Sequence, residues 1–267
     1  MRVSLKQKYG QLALVAGASE GIGAAFATYL AADGINLILV ARRKEPLDKL
    51  TEQLREKYKV EVDCIVCDLA EINSAQHLRD SLQGKEINLF VYNAALSYIG
   101  AFEKNTVANH HQIAQANMVT PMNLMQVFAE PMLAKQKGAM ILMASLAGFQ
   151  GSGFLAAYAA TKAFNRVLAE SLWYEWKDRG VDVIACCAGA TSTPNFINTK
   201  PEKADFFAPR VQSPEEVVEE CFEKLGKQPS FVTGTGNKIA SFIMQKLLPR
   251  KMAINIMGDT TKKMYRL

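Results

Sequence analysis

The sequence predicts an α/β fold in which a parallel sheet is covered by helices on both faces. Three observations point there. Near-continuous apolar runs of strand length alternate along the chain with stretches of helical period, and a strand with no polar side must be buried from above and below. The first such run passes directly into a glycine-rich turn and then a helix. The 267 residues, 49% hydrophobic and 21% charged, can bury a large core, and no repeat, low-complexity tract or linker divides residues 1–267 into more than a single domain.

The first strand is Gln11–Ala16. Gly17-Ala-Ser19-Glu-Gly21-Ile22-Gly23 follows, then an amphipathic helix to about Asp33, closed by Gly34. Gly17 permits a tight turn, Gly21 lets backbone approach a pyrophosphate, and Gly23 lets the helix pack closely. The unpaired N–H groups and positive dipole end of that helix favour phosphate. Gly17, Ser19, Gly21, Ile22 and Gly23 are therefore candidate dinucleotide-binding residues, the alternative being a structural turn. The second strand, Asn36–Ala41, ends where an adenosine ribose would be read. A carboxylate there would bond both free ribose hydroxyls of NAD. The chain has Ala41 followed by Arg42 and Arg43, which suit a ribose 2′-phosphate and so NADP(H) rather than NAD(H). A solvated basic turn is the competing reading, and Glu20 in the glycine loop gives the phosphate no help.

Pro46 suits the first turn of the next helix, whose Leu47, Leu50 and Leu54 form one apolar face. Glu61–Cys67 is the third strand, stopping at Asp68-Leu69, and Ile72 to about Leu82 is helical. The fourth strand, Asn88–Tyr92, stops at Asn93-Ala-Ala95. A long helical region over about 107–135 holds Asn117 among apolar neighbours, as a satisfied core polar group or as part of a site. The fifth strand begins at Gly138 and brings Ser145 to a buried strand end. In the helix after it, stopped by Gly180, Tyr158 and Lys162 share one face and project toward that strand end. A hydroxyl, a phenol and an ammonium converge. Taken alone, the Tyr-x-x-x-Lys spacing is more often that of an exposed lysine beside a half-buried tyrosine on an ordinary helix.

The sixth strand, Val181–Cys187, opens into Ala188-Gly189-Ala-Thr191-Ser-Thr193. Residues of about 190–213 form a long loop, carrying Phe196, Phe206 and Phe207, of the kind that serves as a lid or binding segment. Together with Phe149 and Phe154 these aromatics predict an apolar substrate pocket, or else a packed lid. Ser213-Pro-Glu-Glu216 is a capping box that starts a helix, and Ser230–Thr233 is a short last strand. In the C-terminal segment, about 237–267, Ile239, Phe242, Ile243, Met244 and Leu247 are expected to line one face of a closing helix that stops before Pro249. An irregular apolar and basic tail to Leu267 is expected after it.

The net charge of +5 comes from residues of both signs with only short basic clusters, which argues against a nucleic-acid partner. No apolar run has signal-peptide or bilayer-spanning length, so the expectation is a cytoplasmic protein with no membrane span. Peripheral contact through the C-terminal tail, a lid and an interface are left open for that segment. Five cysteines are an odd set. Cys64 and Cys67 point to opposite faces of a strand, as core residues rather than a redox or metal pair, and Cys186 and Cys187 lie in an apolar run. His77, His110 and His111 show no ligand spacing, and no metal site is predicted.

These residues resemble the short-chain dehydrogenase/reductase family over essentially the whole chain. The motifs are Gly17-x-x-x-Gly21-x-Gly23, Asp68-Leu69, Asn93-Ala-Ala, Asn117, Ser145, Tyr158-x-x-x-Lys162 and Gly189-x-x-x-Thr193, in that order. The resemblance implies a doubly wound Rossmann fold of about seven parallel strands with a catalytic tetrad at the nicotinamide. Tyr158 would be the general acid or base, and Ser145 would orient the carbonyl oxygen. Lys162 would hold the nicotinamide ribose and lower the tyrosine pKa, and Asn117 would anchor a proton-relay water. Asp68 would contact the adenine and Thr193 the carboxamide, with Leu69, Asn93, Gly189 and Thr191 beside them in the cofactor site. A homodimer or homotetramer paired through the long fifth and sixth helices is implied as well. Ala16, Ala95 and Ala188 depart from the family's usual Thr, Gly and Pro; none removes a reacting group, but they bear on the rigidity of the cofactor loops. A looser likeness points to the hydroxysteroid dehydrogenase and long-chain ketoacyl reductase branch.

The expected activity is NADP(H)-dependent interconversion of a ketone and a secondary alcohol on a small hydrophobic substrate. A dinucleotide-binding sensor or interaction protein is the alternative from another class, since fold alone does not establish function. Such a protein would have no use for Ser145, Tyr158 and Lys162 together.

Overall fold

A computed structural model describes residues 4–199 and 211–267. A short helix α1 (Leu5–Tyr9) leads into β1 (Leu12–Ala16), α2 (Gly21–Ala32), β2 (Asn36–Ala41), α3 (Lys44–Tyr58), β3 (Val62–Val66), α4 (Ser74–Ser81) and β4 (Leu89–Tyr92). The second half runs α5 (Val107–Ala114), α6 (Thr120–Ala134), β5 (Gly138–Ser145), α7 (Ala156–Trp176), β6 (Val181–Ala188), α8 (Pro194–Asn198), α9 (Pro214–Lys224) and β7 (Ser230–Val232). It closes with α10 (Thr235–Phe242) and α11 (Arg250–Tyr265). The strands form one seven-stranded sheet in the order β3-β2-β1-β4-β5-β6-β7, every pair parallel. This is the doubly wound arrangement, and its strand order reverses between β1 and β4. Ligands of such sheets bind outside the carboxyl ends of the strands at that reversal.

The apolar strands have the expected cause: both faces of the sheet are covered. On one side Phe26, Leu30, Leu47, Val218 and Phe222 from α2, α3 and α9 pack against Val15, Leu39 and Ile141. On the other, Leu78, Leu124, Phe128 and Trp176 from α4, α6 and α7 pack against Leu14, Phe90 and Leu142. The third-strand cysteines divide as their spacing predicts, Cys64 joining the first cluster and Cys67 the second, and all five thiols are free. Local signals hold at the boundaries. Ser213 and Glu216 exchange both capping-box hydrogen bonds at α9. Gly180 ends the α7 region at φ +73°, where an added Cβ would lie 2.0 Å from the Gln136 carbonyl oxygen.

Two regions differ from expectation. The long helix over residues 107–135 is interrupted by a π turn, Gln115–Val119, that widens the helix around Asn117. The C-terminal tail is not irregular: Pro249 caps the 16-residue helix α11. Its inward positions are small or hydroxylated, chiefly Ala253 and Thr261, so its period is faint in the sequence. The closing face is also corrected. Met244 is buried, whereas Ile239, Phe242 and Leu247 face solvent. Phe206 and Phe207 lie outside the described residues. Among the described residues no helix is long and apolar enough to cross a membrane, and no cluster of potential ligands could hold a metal ion.

Candidate active site

The glycine loop joins β1 to α2 at the reversal of strand order, and its geometry admits only glycine at three points. Gly17, at φ +81°, would place a Cβ 2.6 Å from the Ala94 backbone nitrogen. A Cβ on Gly23 would fall 1.9 Å from the Gly17 carbonyl oxygen, so α2 can start this close to the turn only without a side chain. Gly21, at φ +57°, would push one to 2.8 Å from Thr193 Cγ2. The loop thus meets the segment after β6, and both face the same crevice. Asn93 stabilises the turn, its side-chain amide donating to the Gly17 carbonyl at 2.9 Å. Ser19 and Ile22 are half-buried at the mouth of α2. This side-chain-free cradle, ending in the free N–H groups of a 12-residue helix, fits a dinucleotide pyrophosphate.

At the end of β2 both arginines already face carboxylates. Arg43 pairs with Glu20 at 2.7 Å, and Arg42 stands 3.9 Å from Asp68. All four side chains are substantially solvent-exposed, so these pairs contribute little to stability and can rearrange. Glu20 therefore has a partner that its place in the loop did not disclose. Asp68 is itself held by the Ala70 N–H at 3.0 Å. Leu69 is buried, and its carbonyl accepts from Thr120 at 2.9 Å.

Ser145, Tyr158 and Lys162 come together at the end of β5, as the strand-end and helix-spacing readings require. The Ser145 hydroxyl accepts from the Ala147 N–H at 3.2 Å and hydrogen-bonds the Tyr158 phenol. Lys162, only 3% exposed, donates to the Met143 carbonyl at 2.7 Å and lies 5.6 Å from the centre of the Tyr158 ring. Gly148 lets the turn after β5 lie against α7, since a Cβ there would meet the Ala163 nitrogen at 2.7 Å.

Asn117 is fully buried with a defined task. Its amide donates to the Leu96 carbonyl at 2.9 Å and to Thr161 Oγ1 at 3.0 Å, while its oxygen accepts from the Leu96 N–H at 2.8 Å. The side chain clamps the strand-β4 loop to α7. Both its N–H groups are spent, so the side-chain amide has no donor left for a relay water.

The electrostatics correct one expectation. The pKa of Tyr158 is raised, not lowered, in the cofactor-free chain: burial dominates, the Ser145 hydrogen bond works against it, and the neighbouring Tyr265 phenol raises it further. Lys162 does not depress it, because the amine has lost its charge before the phenol ionises. Burial pushes Lys162 itself down to about 8.

The predicted substrate aromatics separate. Phe149 packs against the core with the Arg166 guanidinium 4.8 Å over its ring. Phe154 is half-buried in a left-handed conformation, φ +63°, and its carbonyl accepts from Gly100 at 2.9 Å. Phe196 is half-buried on α8, which Thr193 caps through the Phe196 N–H at 3.2 Å. Gly189 and Thr191 lie on a polar scaffold. The Gly189 N–H reaches Thr233 at 3.5 Å, Thr233 donates to Gln212 at 2.6 Å, and Thr191 bridges to Gln212.

Tyr265, Arg250 and Gln212 were not singled out in the sequence. Arg250 donates to the Phe149 carbonyl at 2.9 Å, and a Cβ on Gly153 would sit 3.3 Å from Gly258, so α11 runs along the turn that follows β5. That course carries Tyr265 to Tyr158. No motif could have signalled it, because the electrostatic coupling joins residues more than a hundred apart.

Comparison with known proteins agrees with this architecture. The short chain dehydrogenase family model matches residues 11–204. A 7β-hydroxysteroid dehydrogenase from Clostridium sardiniense is 34% identical over 236 residues, covering 88% of this chain and 90% of the relative. A solved structure from work on 7β-hydroxysteroid dehydrogenase stereoselectivity superposes with a TM-score of 0.89 at 30% identity, covering 96% of this chain and 99% of the other. A short-chain dehydrogenase from Sphingobium yanoikuyae, solved in complex with NADPH, aligns at 28% identity and TM-score 0.75 over 84% of this chain and 87% of its own. The chain belongs to the short-chain dehydrogenase family, as an oxidoreductase of its hydroxysteroid dehydrogenase branch.

Proposed function

We propose that this protein interconverts a ketone and a secondary alcohol on a small hydrophobic, steroid-like or ketoacyl substrate, using NADP(H) in preference to NAD(H). The observation that carries the reading is the meeting of Ser145, Tyr158 and Lys162 beside the glycine cradle. NADP(H), when bound, supplies or accepts the hydride. Tyr158 then gives its proton to the carbonyl oxygen during reduction and takes one from the alcohol during oxidation. Ser145 cannot replace it, since a hydroxyl without a neighbouring base is too weak an acid. It orients the oxygen instead, and stabilises charge as it develops there.

Lys162, which donates to the Met143 carbonyl, would hold the nicotinamide ribose in this reading. A charged Lys162 would favour the Tyr158 phenolate, the shift that burial opposes. Asn117 positions α7 against the loop after β4. Gly17, Ser19, Gly21, Ile22 and Gly23 present backbone to the pyrophosphate. Asp68, Leu69 and Asn93 line the adenosine side, and Gly189, Thr191 and Thr193 the nicotinamide side. Arg42 and Arg43 receive the 2′-phosphate, a role supported by the NADPH-bound relative. The 7β-hydroxysteroid dehydrogenase relatives favour a steroid-sized substrate. Met122, Val167 and Tyr174, exposed on α6 and α7, support homo-oligomerisation through those helices.

The test is a panel of ketones and secondary alcohols followed at the nicotinamide absorbance band with both cofactors. Efficient reduction of bulky apolar ketones with NADPH is expected. Turnover confined to small polar ketones, or equal efficiency with NADH, would overturn the respective part of the reading.

A further inference from the structure

We infer that the C-terminal unit from Gly234 to Leu267 is a docking face for an anionic lipid bilayer. Residues 234–267 carry seven Lys or Arg against one acid, Asp259, a net +6 that exceeds the +5 of the entire chain; everything before Gly234 therefore sums to −1. The basic character of this protein is segregated, not scattered. It belongs to one structural unit, α10, the turn after it and α11.

The same unit exposes large apolar side chains among those cations. Ile239 is 57% exposed, Phe242 59%, Leu247 65% and Met252 50%. Lys246, Arg250 and Lys251, all exposed, lie between or beside them in the chain. On α11 the helical period places Lys251 and Lys262 on one face, with Asp259, Met252 and Lys263 on its flank, opposite the buried Ala253. An amphipathic helix pair with apolar and cationic residues interleaved is the form that lies in a lipid interface with its apolar side chains in the headgroup region.

Charge complementarity selects the occupant. A second copy of this face would set cations against cations, even with Lys238 paired to Glu220. A nucleic acid would satisfy the lysines but leave Ile239, Phe242 and Leu247 in water. An anionic bilayer takes both, with each basic residue near the surface contributing about 1 kcal/mol, or about fivefold in partition. The helices are too polar to span, so the contact is peripheral.

The position of the face gives it a use. Arg250 is bound to the Phe149 carbonyl, and Ile254 lies 3.6 Å from where a Cβ on Gly151 would be, so α11 joins the docking face to the turn that borders Ser145 and Tyr158. Resting on the proposed hydrophobic substrate, this arrangement lets a lipid-dissolved ketone enter from the bilayer.

The experiment is sedimentation of the full chain with vesicles of phosphatidylcholine alone and of phosphatidylcholine with phosphatidylglycerol. Binding only to the anionic vesicles, weakening with added salt, is expected. Lys246→Glu with Lys251→Glu should weaken partition at least about twentyfold, and Phe242→Asp with Leu247→Asp should also release the protein. Both variants should keep parental activity on a water-soluble ketone, which shows that they fold. Equal recovery with both vesicle types, or charge-reversed variants that bind like the parent, would overturn the inference. So would a concentration-dependent dimer broken by Phe242→Asp without vesicle binding, which would assign the face to a second copy. Vesicle binding without ketone turnover would refute the proposed activity and leave the docking face standing.

Discussion

Replacing Lys162 by Met should make the cofactor-free protein more stable at neutral pH while removing its chemistry. Lys162 is almost wholly buried, and burial lowers its pKa from 10.5 to about 8. At about 1.36 kcal/mol per unit, holding the ammonium protonated in the fold costs about 3 kcal/mol relative to the neutral amine. Met has similar length and no charge, but gives up the donation to Met143, worth about 1 kcal/mol. The net gain is about 2 kcal/mol, a rise of about 5 °C in Tm. The folded-state pKa is the depressed one, so between about pH 8 and 10.5 the unfolded chain binds the extra proton and the parent becomes more stable as pH rises. The Met variant lacks this gain. Its advantage should be constant below about pH 8, vanish near about pH 9.5, and reverse to about 1 kcal/mol in favour of the parent near about pH 10.5, where only the lost Met143 hydrogen bond remains. Urea unfolding of both cofactor-free proteins across this range measures the difference, from which the shared effect of Tyr158 cancels. A variant less stable than the parent at pH 7, or a difference flat with pH, would refute the reasoning and mean that the Met143 carbonyl fully compensates the buried charge.

Tyr158→Phe should lower turnover about 10²–10⁴-fold while leaving NADPH affinity within a few-fold, read by single-turnover kinetics and cofactor fluorescence titration. Because burial raises the Tyr158 pKa and oxidation needs the phenolate, alcohol oxidation should accelerate with rising pH and ketone reduction should slow at the alkaline end. A pH–rate profile in each direction tests the sign. Arg42→Ala should weaken NADPH binding about ten- to a hundredfold, with little change for NADH, since a charge-assisted phosphate contact contributes about 1.5–3 kcal/mol. Titration with 2′,5′-ADP against 5′-ADP isolates the phosphate. Gly23→Ala should abolish dinucleotide binding and cost about 3 kcal/mol of stability, because its Cβ would overlap the Gly17 carbonyl; unimpaired binding by calorimetry would contradict the loop geometry.

Much of this protein is readable from local rules. The five inner strands, buried on both faces, leave near-unbroken apolar runs, and together with the shorter, partly exposed edge strands β3 and β7 all seven were legible within a residue or two of their ends. The closeness of Gly23 to the Gly17 carbonyl is local too, and so is the spacing that puts Tyr158 and Lys162 on one helical face, whereas the neighbours that crowd Gly17 and Gly21 are the distant Ala94 and Thr193. Helix α11 was missed because its buried positions are small or polar, Ala253 and Thr261, and its period does not stand out from the exposed Met and Ile residues around it.

Other features were decided by the tertiary structure alone. The pairing of Arg43 with Glu20, the clamp from Asn117 to Leu96 and Thr161, and the approach of Tyr265 to Tyr158 join segments distant in sequence. The direction of the Tyr158 shift belongs with them. Sequence spacing places the Lys162 side chain near the phenol, but a pKa follows from whether the neighbour keeps its charge and how much water surrounds the group. Those are properties of packing: burial withdraws the water that would stabilise a phenolate, and the same burial lowers Lys162 to about 8, so the amine is neutral before the phenol ionises.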